Sequence, residues 1–265
     1  LWIMIFKKNL MNFIIISIVF ATILISKNWA SYRNSTKIKK VYFFGNEFID
    51  NNFLNSFNDE IKNKNIYDIN INELSKVFED NHYIKAARVS KHFPDKIKIE
   101  IVERNPIAVI NNIDPILIDE NGIILPNNKE AFKKIIPFLS GFNQNKLSYI
   151  NGEKTTSPKL NEAIALLKKI KEKNESLYKN ISEMALNTDK EFVLVLVDYP
   201  TKINLGSSDL DKKIQIIESF DSSINPHGLY AFKSIDLRYQ NQIITQGKRW
   251  LKLILKRKFL NQELI

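Results

Sequence analysis

Few residues of this chain have the types that carry chemistry. Three histidines (His82, His92 and His227) and three carboxylates beside turns (Asp80, Asp119 and Glu120) are the candidates. Histidine ligates metals or moves protons when it meets partners at set spacings, but these three are far apart and none lies in an HExxH or HxH pattern. Two carboxylates brought together in space could share acid–base work, yet acidic residues beside turns are ordinarily solvated. There is no GxSxG elbow, P-loop or GxGxxG, and only 7 glycines are present to cradle a phosphate. With no cysteines, disulfides, thiolate zinc sites and thiol catalysis are excluded. The residues point away from an enzyme, a cofactor or a metal, and toward a protein that works through its surfaces.

The elements that would build such surfaces follow from hydrophobic periodicity. Residues 10–26, LMNFIIISIVFATILIS, are uncharged and nearly all apolar. That is slightly short of the ~20 residues that span a bilayer, and Lys7, Lys8 and Lys27 can snorkel at the ends. An uncleaved membrane anchor is expected rather than a cleaved signal peptide, because cleavage after Ala30 would put Asn28 where a small residue is required. More lysines and arginines follow the span than precede it, which would place the following residues in the cytoplasm, but long domains translocate regardless of flanking charge. Met4 and Met11 are candidate starts. The expected organisation is a short N-terminus (1–9), a span (10–26), a linker (27–37), a first domain (38–106), a second domain (107–247) and a basic, apolar tail (248–265).

In the first domain, residues 39–44 read as a strand ended by Gly45-Asn46. Ile49, Phe53, Leu54, Phe57 and Ile61 mark one helix face, and Asn70 with Glu73 opens a second helix with a capping-box pattern. Residues 84–93 read as a strand, Pro94-Asp95 as a turn, and 96–104 as a strand with Ile97, Ile99 and Ile101 on one face and Lys96, Lys98 and Glu100 on the other. In the second domain, 116–125 reads as two short strands around Glu120-Asn121-Gly122, and Asn143 to Pro158 as a polar loop. Leu160 to Ile170 and Leu210 to Phe220 make helix faces. Phe192–Val197 and Thr201–Leu205 form a hairpin around Tyr199-Pro200, and Ser234–Gln246 a last hairpin turning at Gln240-Asn241. The tail could extend the last strand or lie as an amphipathic helix on a membrane. The net charge of +10 is dispersed among Asp and Glu, which argues against nucleic acid and suits a protein near anionic lipid.

The series VYFFGNEFID and INELSKVFEDNHYIKAARVSKHFPDKIKIEIVERNPIAVI resembles the POTRA domain of the FtsQ/DivIB cell-division family. Gly45, Asn46, Ala87, Val89, Pro94, Glu103, Arg104, Pro106 and Ala108 stand where that pattern expects them, with Tyr83 where the family often has Trp. LIDENGIIL resembles the family's Asp-x-x-Gly segment, INLGSSDLDKKI its Leu-Gly and helix, and SIDLRYQNQIITQ its terminal Asp-Leu-Arg-Tyr hairpin. The resemblance implies an α+β protein: an N-terminal transmembrane helix, a small POTRA domain (β-α-α-β-β) and a second, mostly antiparallel β domain with helices. It implies a non-enzymatic, single-pass inner-membrane protein at the septum, periplasmic beyond the anchor, linking early and late divisome proteins and binding the FtsB–FtsL pair. Partner binding is expected as β-strand addition at the last hairpin: Asp236, Leu237, Arg238, Tyr239, Gln240, Gln242, Ile243 and Ile244, with Tyr239 as anchor and Asp236 and Arg238 at the rim. Glu103 and Arg104 are expected as hinge or interface residues. The alternatives are a POTRA-containing envelope assembly or transport factor, which would carry a C-terminal β-barrel, and a membrane-anchored hydrolase.

Overall fold

The computed structural model describes residues 2–32, 36–142, 149–197, 200–224 and 228–247. His227, Tyr199 at the hairpin turn, part of the expected 143–158 loop and the tail 248–265 lie outside the described residues. The chain divides into two compact units, Leu1–Glu103 and Arg104–Ile265.

Helix α1 (Trp2–Tyr32) contains the apolar stretch Leu10–Trp29, 20 residues with a mean hydropathy of 2.1 and no part of it buried. At ~1.5 Å per residue such a stretch is about as long as a bilayer core is thick, and side chains apolar on every face suit lipid rather than water.

The rest of the first unit is β1 (Lys40–Phe44), α2 (Asn51–Ile61), α3 (Ile71–Glu79), β2 (Ile84–His92) and β3 (Lys96–Glu103). The sheet order is β1-β3-β2, with β1 parallel and β2 antiparallel to β3. Alternation along β3 decides the packing. Ile97, Ile99 and Ile101 are buried under the two helices, while the residues between them face outward. Phe43, Phe53 and Phe57 surround Phe78, with ring centroids 4.6–6.2 Å from it. Asp50 and Asn70 cap the two helices by accepting the N–H groups of Asn52 and Asn72. The Asn70 side-chain amide in turn donates to the Glu73 carboxylate at 2.9 Å. Gly45 has φ +83°, and a Cβ there would lie 2.2 Å from the Ile101 carbonyl oxygen, so only glycine fits this turn.

In the second unit the described residues form one open nine-stranded sheet: β4 (Pro106–Ile110), β5 (Ile116–Asp119), β6 (Ile124–Leu125), β7 (Phe138–Ser140), β8 (Ile181–Leu186), β9 (Phe192–Leu196), β10 (Lys202–Gly206), β11 (Phe232–Asp236) and β12 (Ile244–Gly247). Their order is β12-β11-β10-β9-β8-β7-β4-β5-β6. Pairing is antiparallel except at β4–β7, β7–β8 and β10–β11. The short helices α4 (Lys129–Phe132) and α6 (Glu175–Lys179) add to the two longer ones that periodicity identified, α5 (Pro158–Lys173) and α7 (Leu210–Ser223). Leu160, Ala163, Ile164, Leu167 and Ile170 of α5, with Ile214 and Ile217 of α7, join the strand residues in a single core. The buried Tyr178 hydroxyl donates to the Ile107 carbonyl at 2.7 Å, and burial raises its pKa.

Candidate functional site

The expected partner-binding residues lie at one end of the nine-stranded sheet. Strand β12 is outermost, pairs with β11 in the register Asp236↔Ile244, Ile235↔Thr245 and Ser234↔Gln246, and exposes all four of its residues. Among the described residues no strand pairs with its outer side. Alternate residues of an edge strand direct their N–H and C=O groups outward, ready to accept another strand.

The connection from β11 to β12 is held firmly at its start. Leu237 is buried, and its N–H donates to the Asn204 carbonyl at 3.0 Å, which fixes the start of the connection to the core. Arg238 donates to Asp236 from Nε and Nη2 at 2.7–3.1 Å and to Glu191 from Nη1 at 3.2 Å. The Arg238 guanidinium, together with its N–H at 3.0 Å, holds the Asp236 carboxyl below its usual range, and Asp236 raises the pKa of Arg238 in return. Gly206 has φ +80°, and a Cβ there would come within 3.2 Å of Arg238 Cγ and 3.3 Å of Lys213 Nζ. The Lys213 ammonium is buried and donates to the Leu205 carbonyl at 2.6 Å. Past this anchor the chain opens outward. Tyr239 is 53% exposed, Asn241 turns with φ +56°, Gln240 and Gln242 are exposed, and Ile243 and Ile244 remain largely accessible.

Helix α7 runs beside this edge. A cavity of about 580 Å³ lies between Asp209, Lys212 and Ile216 on one side and Leu237 to Ile243 on the other. A second, of about 450 Å³, continues along Gln215, Ser219, Phe220 and Ser223, and both share Lys212, Ile216 and Ile243. Sequence reasoning missed Glu191, Lys212 and Ile216. Glu191 is 47 residues from Arg238 and gives no local signal. Ile216 falls off the core stripe of Leu210, Ile214 and Ile217, and that outward apolar position was the available clue.

The remaining motif residues have structural work. Glu103 accepts the N–H groups of Glu47, Phe48 and Ile49 at 2.8–3.0 Å, which fixes the turn after Gly45-Asn46. Arg104 pairs at 3.0 Å with Asp119, which also accepts the N–H groups of Asn121 and Ile123 at 2.8 Å and is 1% exposed. Glu103 and Arg104, expected as hinge or interface groups, are the last residue of the first unit and the first of the second, and each satisfies polar groups within its own unit, since a buried N–H or carboxylate left bare is costly. Ala87 and Val89 pack on the first core, Pro94 lies in the β2–β3 turn, and Pro106 begins β4. Tyr83 is buried against Phe48 with ring centroids 5.7 Å apart. Burial first, then the Glu103 charge, raises its pKa. His82 and His92 are exposed, and no cluster of three metal-ligating side chains occurs among the described residues.

Comparison with known proteins matches two families to this chain in succession. The family described as POTRA domain, FtsQ-type, matches residues 36–104, and the one described as FtsQ/DivIB, C-terminal related, matches 105–246. Similar curated proteins include the cell division protein FtsQ of Syntrophotalea carbinolica, 22% identical over 182 residues, which are 69% of this chain and 64% of that protein. Those of a Geobacter species (24% over 166 residues, 63% and 60%) and of Rickettsia bellii (31% over 102 residues, 38% of each) are also similar. The chain thus spans 64% and 60% of the length of the first two relatives.

Proposed function

Because the chain belongs to the FtsQ/DivIB family of cell division proteins, we propose that it is a non-catalytic divisome scaffold of the inner membrane that captures FtsB–FtsL by strand addition to β12. In this reading α1 anchors the chain, both units are periplasmic, and the protein gathers at the septum with other divisome proteins, linking early and late components to control septal peptidoglycan synthesis. The observation that carries the reading is the β12 edge, which is exposed along its whole length and bordered by Tyr239, Ile243 and the groove on α7. Main-chain bonds along such an edge supply affinity, and flanking side-chain pockets supply selectivity.

Strand chemistry supplies the test. Successive residues send their N–H groups to opposite sides of a strand, so Thr245→Pro and Gln246→Pro remove donors on opposite sides. One variant weakens the β11–β12 ladder and the other strips only the outer edge. In the full chain reconstituted with FtsB–FtsL, the variant with the unchanged melting temperature is expected to lose capture about tenfold or more, the equivalent of ~1.4 kcal/mol or greater. Undiminished capture by that variant sinks the strand-addition reading. A fluorescent fusion in dividing cells that stained the envelope uniformly would overturn the septal assignment.

A further inference from the structure

The first unit sorts its surface by end. At one end three segments meet. The Lys39 N–H donates to the Asp95 carbonyl, the Ile38 N–H to that of Lys64 and the Ile66 N–H to that of Thr36, each at 2.9 Å. Segments 36–40, 62–68 and 91–96, which form this end, carry seven lysines and two aspartates. One of those aspartates, Asp95, is paired with Lys39 at 3.1 Å. The opposite end is built from segments 45–50 and 79–85 with Glu103, and carries five carboxylates and one lysine. Two aromatic side chains stand out at the basic end. Tyr67 and Phe93 are 56% and 57% exposed, and their rings stack with centroids 5.2 Å apart. Lys37, Lys40, Lys62 and Lys96 are exposed around them.

Covalent connectivity says what meets this end. Helix α1 runs to Tyr32, and Thr36 already bonds to Ile66. The four intervening steps reach at most about 14 Å. The basic, aromatic end is therefore the end closest to the membrane that α1 crosses, and the acidic end is the far one. Lysines attracted to anionic headgroups and amphipathic or aromatic rings at the headgroup boundary are the two components of interfacial binding.

We infer that the POTRA end formed by Lys37, Lys40, Lys62, Tyr67, Phe93 and Lys96 docks onto the anionic surface of the leaflet from which α1 emerges. The rings enter the headgroup region, the lysines meet lipid phosphates, and the acidic far end is repelled. With only three residues between α1 and Thr36, docking then sets the tilt of the domain instead of leaving it to swing. This goes beyond the scaffold reading and needs only that α1 is the anchor.

The absence of cysteine allows clean labelling. His92 is exposed beside Phe93 and His82 is exposed at the far end, so His92→Cys and His82→Cys carry a fluorophore in matched variants of the full chain. Each is reconstituted in nanodiscs containing headgroup-nitroxide lipid, with phosphatidylglycerol or with phosphatidylcholine alone. In anionic discs the probe at 92 is expected to be quenched about threefold more than the probe at 82, and the excess to shrink in zwitterionic discs and in high salt. Charge reversal of the four lysines, or Tyr67→Ser with Phe93→Ser, is expected to bring the two probes together. Equal quenching at both sites overturns the proposal. So does an excess at 92 that lipid charge and both sets of substitutions leave unchanged, which is tethering without docking.

Discussion

The nine-stranded sheet ends in two edges, and they are finished in opposite ways. At one end, β6 is two residues long, and both Ile124 and Leu125 are buried. A loop covers it: the Gly152 N–H donates to the Ile124 carbonyl at 2.8 Å, and the Ile124 N–H to that of Glu153 at 2.9 Å. At the other end, β12 is four residues long, wholly exposed, and paired on one side only among the described residues. Unpaired edges invite association with other chains, so proteins shorten or cover them unless pairing is the purpose. Among the described residues the same sheet closes one edge and leaves the other open, which is the pattern expected when one edge receives a partner.

The contrast breaks most visibly under a matched pair of substitutions. Leu125→Lys places an ammonium in the core beneath the covered edge and is expected to destabilise the second unit by about 4 kcal/mol or more. Ile244→Lys, on a side chain that is 47% exposed, is expected to shift stability by no more than ~0.5 kcal/mol. Chemical denaturation measures both. Comparable losses would mean that β12 is as integral to the fold as β6. Asp119→Ala removes the acceptor that closes the turn before β6 and leaves Arg104 and two N–H groups bare. The expected cost is about 3 kcal/mol in the same measurement, with a smaller loss for Asp119→Asn. Ile244→Lys sharpens the comparison from the other side. With the fold intact, a charge on the open edge is expected to weaken capture of FtsB–FtsL about tenfold. Unchanged capture would turn attention to the α7 groove.

The two units were not equally legible. In the first, β3 alternates Ile97, Ile99 and Ile101 with polar residues, Asn70 marks a helix start and Gly45 a turn, so each element announces itself locally. The second unit hides β4, β7 and β8. PIAVI in β4 is buried at all five positions, so it has no alternation to detect. ISEMAL in β8 mixes polar and apolar residues, and β7 has only three residues. The parallel pairs joining these strands link segments distant in sequence, as Ile110↔Leu139 and Leu139↔Met184 show, and no local pattern encodes them. At the edge, the β11–β12 hairpin was readable from its turn, but the groove with α7 and the Glu191–Arg238 pair exist only once the chain has folded.

The smallest expected effect concerns how tightly the open edge is anchored. Asp236 ends β11 opposite Ile244, and Arg238 holds its carboxylate below the ordinary 3.8. A carboxyl group with a depressed folded-state pKa adds stability that is complete above its unfolded value and is lost as pH falls through the folded one. The Asp236 contribution is therefore present at neutral pH and fades only below pH 3.8. Arg238 is 39% exposed, so solvent screening keeps the contribution of the pair small. Asp236→Asn is expected to lower the stability of the second unit slightly at neutral pH, less than either Leu125→Lys or Asp119→Ala, and the gap to the unaltered chain is expected to narrow as the solution is acidified past 3.8. A gap that persisted or widened in acid would show that the amide fails for want of fit rather than charge. The hairpin would then be held by packing around Leu237 and Gly206, and the β12 edge would keep its orientation without the ion pair.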